Sequence, residues 1–126
     1  MALAGLGTDV VAVARFVRLL EQRSAVLERL FTPAERAYAL PRRQAAQHLA
    51  ARFAAKEAFL KALGLGLRDG LTWQDIEVRR DALGAPTLVL AGRAAELFAA
   101  RGLRFSHLSY SHERDYAIAT VILEGP

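Results

Sequence analysis

Arg52-Phe53-Ala54-Ala55-Lys56-Glu57-Ala58-Phe59-Leu60-Lys61-Ala62, continued by Leu63-Gly64-Leu65-Gly66, is the stretch around which the chain is organised. Ala, Leu, Lys and Glu keep their side-chain freedom in a helix and no proline interrupts them, so the stretch predicts a strong helix. At a period of 3.6, Leu49, Phe53, Leu60 and Gly64 share one face with Glu57 and Lys61. A carboxylate and an ammonium thus fall inside a stripe expected to be packed. Lys56 and Lys61 are the only lysines among 17 basic residues, and both flank Glu57. Arginine serves everywhere else, which points to a need for a compact charge here where other sites accept a planar fork.

Working outward, 126 residues with 53% apolar composition fit one domain, residues 1–126, with one core. Low-complexity tracts and internal repeats are absent. With no cysteine, a disulfide framework and thiolate-bound zinc are excluded. Met1 to Gly5 lacks the basic and apolar regions of a signal peptide, and no apolar run approaches the roughly 20 residues that span a bilayer. A cytoplasmic protein without a membrane segment is expected. The net charge of +4 is uneven: residues 13–52 hold eight arginines against Glu21, Glu28 and Glu35, and the remainder is slightly acidic. Either an acidic partner docks on that segment, or it is a solvated basic face.

Leu3 to Val13 alternates small and β-branched residues and predicts a mostly buried strand carrying Asp9. A buried carboxylate is costly unless paired or bound to a metal. Val13 to Arg23 is an amphipathic helix: Phe16, Leu19 and Leu20 face inward, Arg15, Arg18 and Gln22 line another side, and Arg23 stands near its edge. Ser24 is placed to cap a short helix through Leu30, and Thr32-Pro33-Ala34-Glu35 is a capping box that opens another, ending near Leu40-Pro41. The long helix is expected from Arg42 to Leu63, stopped by Gly64 and Gly66. Leu71 to Val78 enters a strand, Asp81 to Pro86 turns the chain, and Thr87 to Leu90 returns it. Ala91 to Arg101 is helical. Leu103–Ser111 and Tyr116–Glu124 form a second hairpin, turning at 112–115. The order implies an α+β fold with a largely antiparallel sheet.

No phosphate-binding glycine loop or nucleophile elbow is present. Asp9 and Glu57 remain as two hard oxygen ligands, which suit Mg²⁺ completed by substrate phosphates and water. Lys61 then offers a charge to phosphate. A Glu57–Lys61 ion pair explains the i, i+4 spacing equally well. On an exposed face such a pair contributes about 0.3–0.5 kcal/mol, whereas in a packed stripe it costs several kcal/mol per ion. Ser109-Tyr110-Ser111-His112 brings hydroxyls and an imidazole to a strand end, suited to gripping phosphate or serving as an ordinary polar turn.

Gly5-Leu6-Gly7-Thr8-Asp9, Arg52 to Gly64, Trp73-Gln74-Asp75-Ile76-Glu77-Val78 and Ser109 to His112 together resemble the holo-[acyl-carrier-protein] synthases, the short bacterial type of 4′-phosphopantetheinyl transferase. The resemblance covers nearly the whole chain. It implies the 4′-phosphopantetheinyl transferase fold, with the antiparallel sheet packed against a long central helix in a short-type single domain. It implies transfer of phosphopantetheine from coenzyme A to a serine of apo-acyl carrier protein, releasing adenosine 3′,5′-bisphosphate, in fatty acid biosynthesis. It also implies a homotrimer with interfacial active sites. By the same resemblance Asp9 and Glu57 hold Mg²⁺, with Lys61 at the reacting phosphate. Arg52, Gly66, Pro86, Ser111 and His112 then contact coenzyme A, and Arg15, Arg18, Gln22 and Arg23 receive the carrier protein. Ala12 stands where many relatives carry Glu, and Arg68-Asp69 where Gly-Lys is common. The rival readings are a basic nucleic-acid-binding domain, for which no recognition motif is present, and a catalytically silent assembly module of the same fold.

Overall fold

The computed structural model describes residues 2–68 and 70–126; Met1 and Asp69 lie outside them. Strand β1 (Ala2–Ala12) leads into three short helices, α1 (Val13–Glu21), α2 (Val26–Leu30) and α3 (Pro33–Ala39), and then the long α4 (Ala45–Leu63). A 3₁₀ turn (Trp73–Asp75) precedes the hairpin β2 (Ile76–Arg80) and β3 (Pro86–Leu90). Helix α5 (Gly92–Ala100) and a second hairpin, β4 (Phe105–His112) and β5 (Tyr116–Gly125), complete the chain. The first sheet has the order β1-β5-β4 and the second pairs β2 with β3; every pairing is antiparallel. The expected α+β architecture and element order are therefore observed.

Helix α4 is buried on almost every side from Leu49 to Leu63, as expected of a helix at the centre of a fold rather than on its surface. It ends where Gly64 takes φ +76°, its N–H donating to the carbonyls of Leu60 and Lys61. It begins at Ala45, three residues later than expected, because Arg42–Gln44 form a turn in which the Ala45 N–H reaches Arg42 O at 3.1 Å. The capping box at Thr32 forms with both hydrogen bonds, and Ser24 Oγ accepts from the Val26 N–H at 3.2 Å. Around Phe16 the rings of Phe31 and Phe53 pack at 5.8 and 5.6 Å between centroids.

Two expectations need correction. Residues Trp73–Asp75 are a capped 3₁₀ turn, so β2 starts at Ile76. Strand β1 is mostly exposed, not buried: Leu3, Leu6 and Val10 are 74, 68 and 58% exposed. Period-two alternation splits it. Gly7, Asp9 and Val11 turn toward α4, while Leu6, Thr8 and Val10 stand on the outer face of the sheet, beside Ile122, Thr120 and Ile118 of β5. Apolar residues on both faces made the strand read as buried, yet the single chain covers only one face.

The inner face is set by glycine. A Cβ on Gly7 would lie 2.0 Å from the carbonyl oxygen of Ala58, and one on Gly5 2.2 Å from that of Ala62. Neither atom can move without unwinding α4. Gly7→Ala is expected to lower unfolding stability in urea by about 1–3 kcal/mol or more; an unchanged midpoint would show that α4 and β1 can separate at no cost.

Candidate active site

The glycine contacts bring α4 against β1, and Asp9, two residues beyond Gly7 on the same face, meets Lys61, which lies between Ala58 and Ala62 on the helix. Lys61 Nζ lies 2.9 Å from Asp9 Oδ1 and 3.1 Å from Thr8 O. The lysine's partner is thus on the strand rather than Glu57 on its own helix. Lys61 is also half exposed, at 53% of its side chain, not enclosed in a packed stripe. Glu57 is half-buried. Burial pushes its carboxyl above the usual range, the negative charge of Asp9 adds to this, and Lys61 and Arg15 oppose it. Two carboxylates therefore share one field with two cations at its edge.

Glu57 opens into a cleft of about 410 Å³ whose other walls include Arg15, Arg18, Gln22, Phe53 and Trp73. The arginine-bearing face of α1 and the carboxylate of α4 thus line one space. Arg15 lies over the Phe53 ring at 5.0 Å. Arg23 does not line this cleft; it closes α1 in the left-handed region at φ +50°. Beyond Trp73 and Leu30, which line both, a second hollow of about 620 Å³ runs along Leu67 and Leu71.

Arg52 falls elsewhere. Five residues before Glu57, it points about 140° away around the helix. It is 2% exposed and its Nε is buried without a hydrogen-bond partner. Its guanidinium lies 4.3 Å from the ring centre of Tyr38, which Arg42 approaches at 3.6 Å and Arg80 at 5.7 Å. His48 meets Tyr38 edge-on at 5.6 Å and meets His112 at the same spacing. Burial raises the Tyr38 hydroxyl, but the hydrogen bond and charge of Arg80, with Arg42 and Arg52, carry it below its ordinary value. Burial, and then Arg52 and His112, hold His48 low. Concentrated positive charge with an unsatisfied buried donor is the environment an anion would complete.

Of the other residues singled out from the sequence, Pro86 pairs with Arg80 across the β2–β3 hairpin, beside this second cluster. Ser111 and His112 belong to strand β4, not to a turn. Alternation sends His112 inward to His48 and leaves Ser111 exposed on the outer face. Gly66 stands exposed on the loop after α4, next to Arg68, and joins neither cluster. Ala12 ends β1 at the entrance to α1, exposed.

Sequence reasoning missed Tyr38, His48, Arg42 and Arg80, which assemble only when α3, α4 and β2 pack. It also assigned no partner to Lys56, which is fully buried and pairs with Glu35 at 2.6 Å. The capping box identified Glu35 as a helix cap; nothing in that motif signalled that the same carboxylate reaches a lysine 21 residues on. Among the described residues no group of three or more Asp, Glu, His or Cys side chains is arranged as a metal cage. Asp9 and Glu57 nevertheless fit Mg²⁺. That ion takes one or two carboxylates alongside phosphate and water, and a cation would offset both the burial and the neighbouring Asp9 charge that raise Glu57.

A family profile described as the 4′-phosphopantetheinyl transferase superfamily matches residues 5–121. The chain is 57% identical to a holo-[acyl-carrier-protein] synthase of Trichlorobacter lovleyi, over 97% of this chain and 98% of that one. It is 56% identical to the synthase of Syntrophotalea carbinolica, over 98% and 97%. Among solved structures, the synthase of Neisseria meningitidis superposes with a TM-score of 0.88 at 34% identity, covering 98% of this chain and 99% of that one. The Bacillus anthracis synthase, solved in complex with coenzyme A (3′,5′-ADP), gives 0.81 at 33% identity, with 98% of both chains covered.

The field at Glu57 yields a titration test. In carboxyl-carbon NMR the Glu57 midpoint is expected above that of an ordinary glutamate. Asp9→Asn should lower it, since removing a neighbouring negative charge eases ionisation. Because the folded chain holds this proton more tightly than the unfolded chain, ionising Glu57 costs stability as pH rises through the folded midpoint. A midpoint unmoved by Asp9→Asn would mean the two carboxylates do not interact.

Proposed function

The chain belongs to the holo-[acyl-carrier-protein] synthases of the 4′-phosphopantetheinyl transferase superfamily, and we propose that residues 1–126 act as one transferase domain moving phosphopantetheine from coenzyme A to a serine of apo-acyl carrier protein. The reaction is Mg²⁺-dependent, releases adenosine 3′,5′-bisphosphate, and serves fatty acid biosynthesis in the cytoplasm. The observation that carries this reading is the single cleft shared by Glu57 and the arginine face of α1. In this reading a docking surface for an acidic protein lies beside the carboxylate that would handle the serine.

In the transfer the serine Oγ attacks the phosphorus on the pantetheine side of the pyrophosphate. The P–O bond to the adenosine-side phosphate breaks, and its electron pair leaves with that phosphate. Asp9 and Glu57 would hold Mg²⁺, which when bound neutralises the pyrophosphate charge and aligns the displacement. Glu57, its proton affinity raised by burial, is suited to receive the serine proton, directly or through a water it orients. Lys61 sits within reach of Asp9 and, half exposed, supplies positive charge to the phosphoryl group as charge develops. Arg52 and His112 serve the coenzyme A phosphates, supported by the buried unpartnered Nε of Arg52 and the guanidiniums around Tyr38. Pro86, Ser111 and Gly66 are further coenzyme A contacts in this reading. Arg15, Arg18, Gln22 and Arg23 receive the carrier, giving fast, salt-sensitive encounter without a large interface.

The homotrimer belongs to the same proposal. The outer sheet face leaves Leu6, Val10 and Ile118 uncovered, with Ser111 on the same face, so packing against a second copy would bury them and bring Ser111 to a neighbour's site.

Incubation with coenzyme A, Mg²⁺ and apo-carrier protein should add phosphopantetheine to the carrier, read by mass spectrometry; an unmodified carrier overturns the proposal. Glu57→Ala should lower the transfer rate by about 10²-fold or more while the chain stays folded. Arg15→Glu should raise KM for the carrier far more than KM for coenzyme A, whereas equal effects would place docking elsewhere. Lys61→Arg should also be costly, since a fork cannot replace a point charge between Asp9, Thr8 O and phosphate; near-normal turnover would refute that role.

A further inference from the structure

Lys56 is a buried basic residue to which the reaction above gives no part. Its side chain is wholly enclosed, and its ammonium faces three acceptors: Glu35 Oε1 at 2.6 Å, Leu30 O at 2.8 Å and Trp73 O at 3.0 Å. An ammonium has three N–H bonds, so each donor is engaged. Glu35 is equally committed. Its Oε1 also accepts from the Thr32 N–H and its Oε2 from the Val78 N–H, both at 2.9 Å. One ion pair thus joins the end of α2, the start of α3, α4, the 3₁₀ turn and β2.

Two of the three acceptors belong to walls of the Glu57 cleft, Leu30 and Trp73. The Trp73 ring also packs on Phe53, one turn before Glu57, at 5.0 Å between centroids. A buried ion pair is seldom more stabilising than an apolar pair of similar volume. It does supply direction, which an apolar pair lacks: three acceptors are fixed around one nitrogen, next in sequence to Glu57. We propose that Lys56, held by Glu35, is a positioning residue for phosphopantetheine transfer: its ammonium pins the Leu30 and Trp73 walls onto α4 and fixes the cleft beside Glu57, touching neither substrate. The kinetic consequence rests on the proposed function; the structural one does not.

Trp73 is the chain's only tryptophan and Lys56 one of its two lysines, so both ends of the contact can be observed selectively. The paired variant Lys56→Met/Glu35→Gln leaves no uncompensated buried charge and nearly conserves volume. In the folded variant, Trp73 emission should shift to the red, and transfer kcat should fall about tenfold or more. KM for the carrier should stay near the parent value, because Arg15 and Arg18 are untouched. Parental emission or parental kcat in the folded variant overturns the proposal. Should the variant not fold, nitrogen-labelled lysine in the unmodified protein decides. The slowly exchanging Lys56 ammonium signal should move when coenzyme A and Mg²⁺ bind, with binding measured separately by calorimetry; a fixed signal despite binding overturns the proposal. A parent protein that neither binds coenzyme A nor modifies the carrier refutes the proposed function instead, and the emission of the variant still tests the clamp.

Discussion

Backbone closeness between α4 and β1 is the constraint on which the site depends. With glycine at 5 and 7, two turns of helix carbonyl lie where side chains would otherwise stand. Larger residues would push the helix outward by the thickness of a side chain. Asp9 would then lose Lys61, and Glu57 would lose the field of Asp9. The burial of Ala58 and Ala62, small residues at the contact, follows from the same closeness. Packing and electrostatics are thus not separable here: helix–strand distance sets carboxylate–carboxylate interaction.

Helix α4 also sorts charge by direction. Toward α1 it presents Glu57 to a cleft, and toward β1 it presents Lys61 to Asp9; about 140° from Glu57 it presents Arg52 to a group of cations. Lys56 is enclosed with Glu35. A surface helix achieves such sorting between a wet face and a dry one. A central helix must do it through partners, because each charge is desolvated to some degree and each needs a specific neighbour. Where that neighbour is supplied, as for Lys56, the polar group is fully satisfied; at Arg52 Nε it is not.

Much of the fold was legible because it rests on local chemistry. Thr32 and Glu35 announce a capped helix start, Gly64 a left-handed helix end, and the Asp81–Pro86 turn a hairpin, all within a few residues. Asp9 and Glu57 were legible as misfits, carboxylates among apolar neighbours. What escaped depends on which elements meet. The exposure of β1 could not be read from its own composition, since strand residues on both faces are apolar and only topology decides which face is covered. The alternation that separates Ser111 from His112 required knowing that β4 runs through both. Tyr38, Arg42, His48 and Arg80 are unremarkable in sequence and become a cluster only in three dimensions.

The two lysines sharpen this point, because one observation in the sequence turns out to have two causes. Confinement of lysine to α4 suggested a single need, a point charge for phosphate. Lys61 is compatible with that, its ammonium sitting between Asp9 and Thr8 O at an open edge. Lys56 answers to a different requirement. Three acceptors from separate elements converge on a single nitrogen at 2.6–3.0 Å. A guanidinium spreads its five donors over a rigid plane and cannot aim three of them from one point. Lysine is therefore demanded at 56 by the geometry of the acceptors and at 61 by the space beside Asp9, and the two demands fall on one helix because that helix packs against both sheets and against α1 and α3.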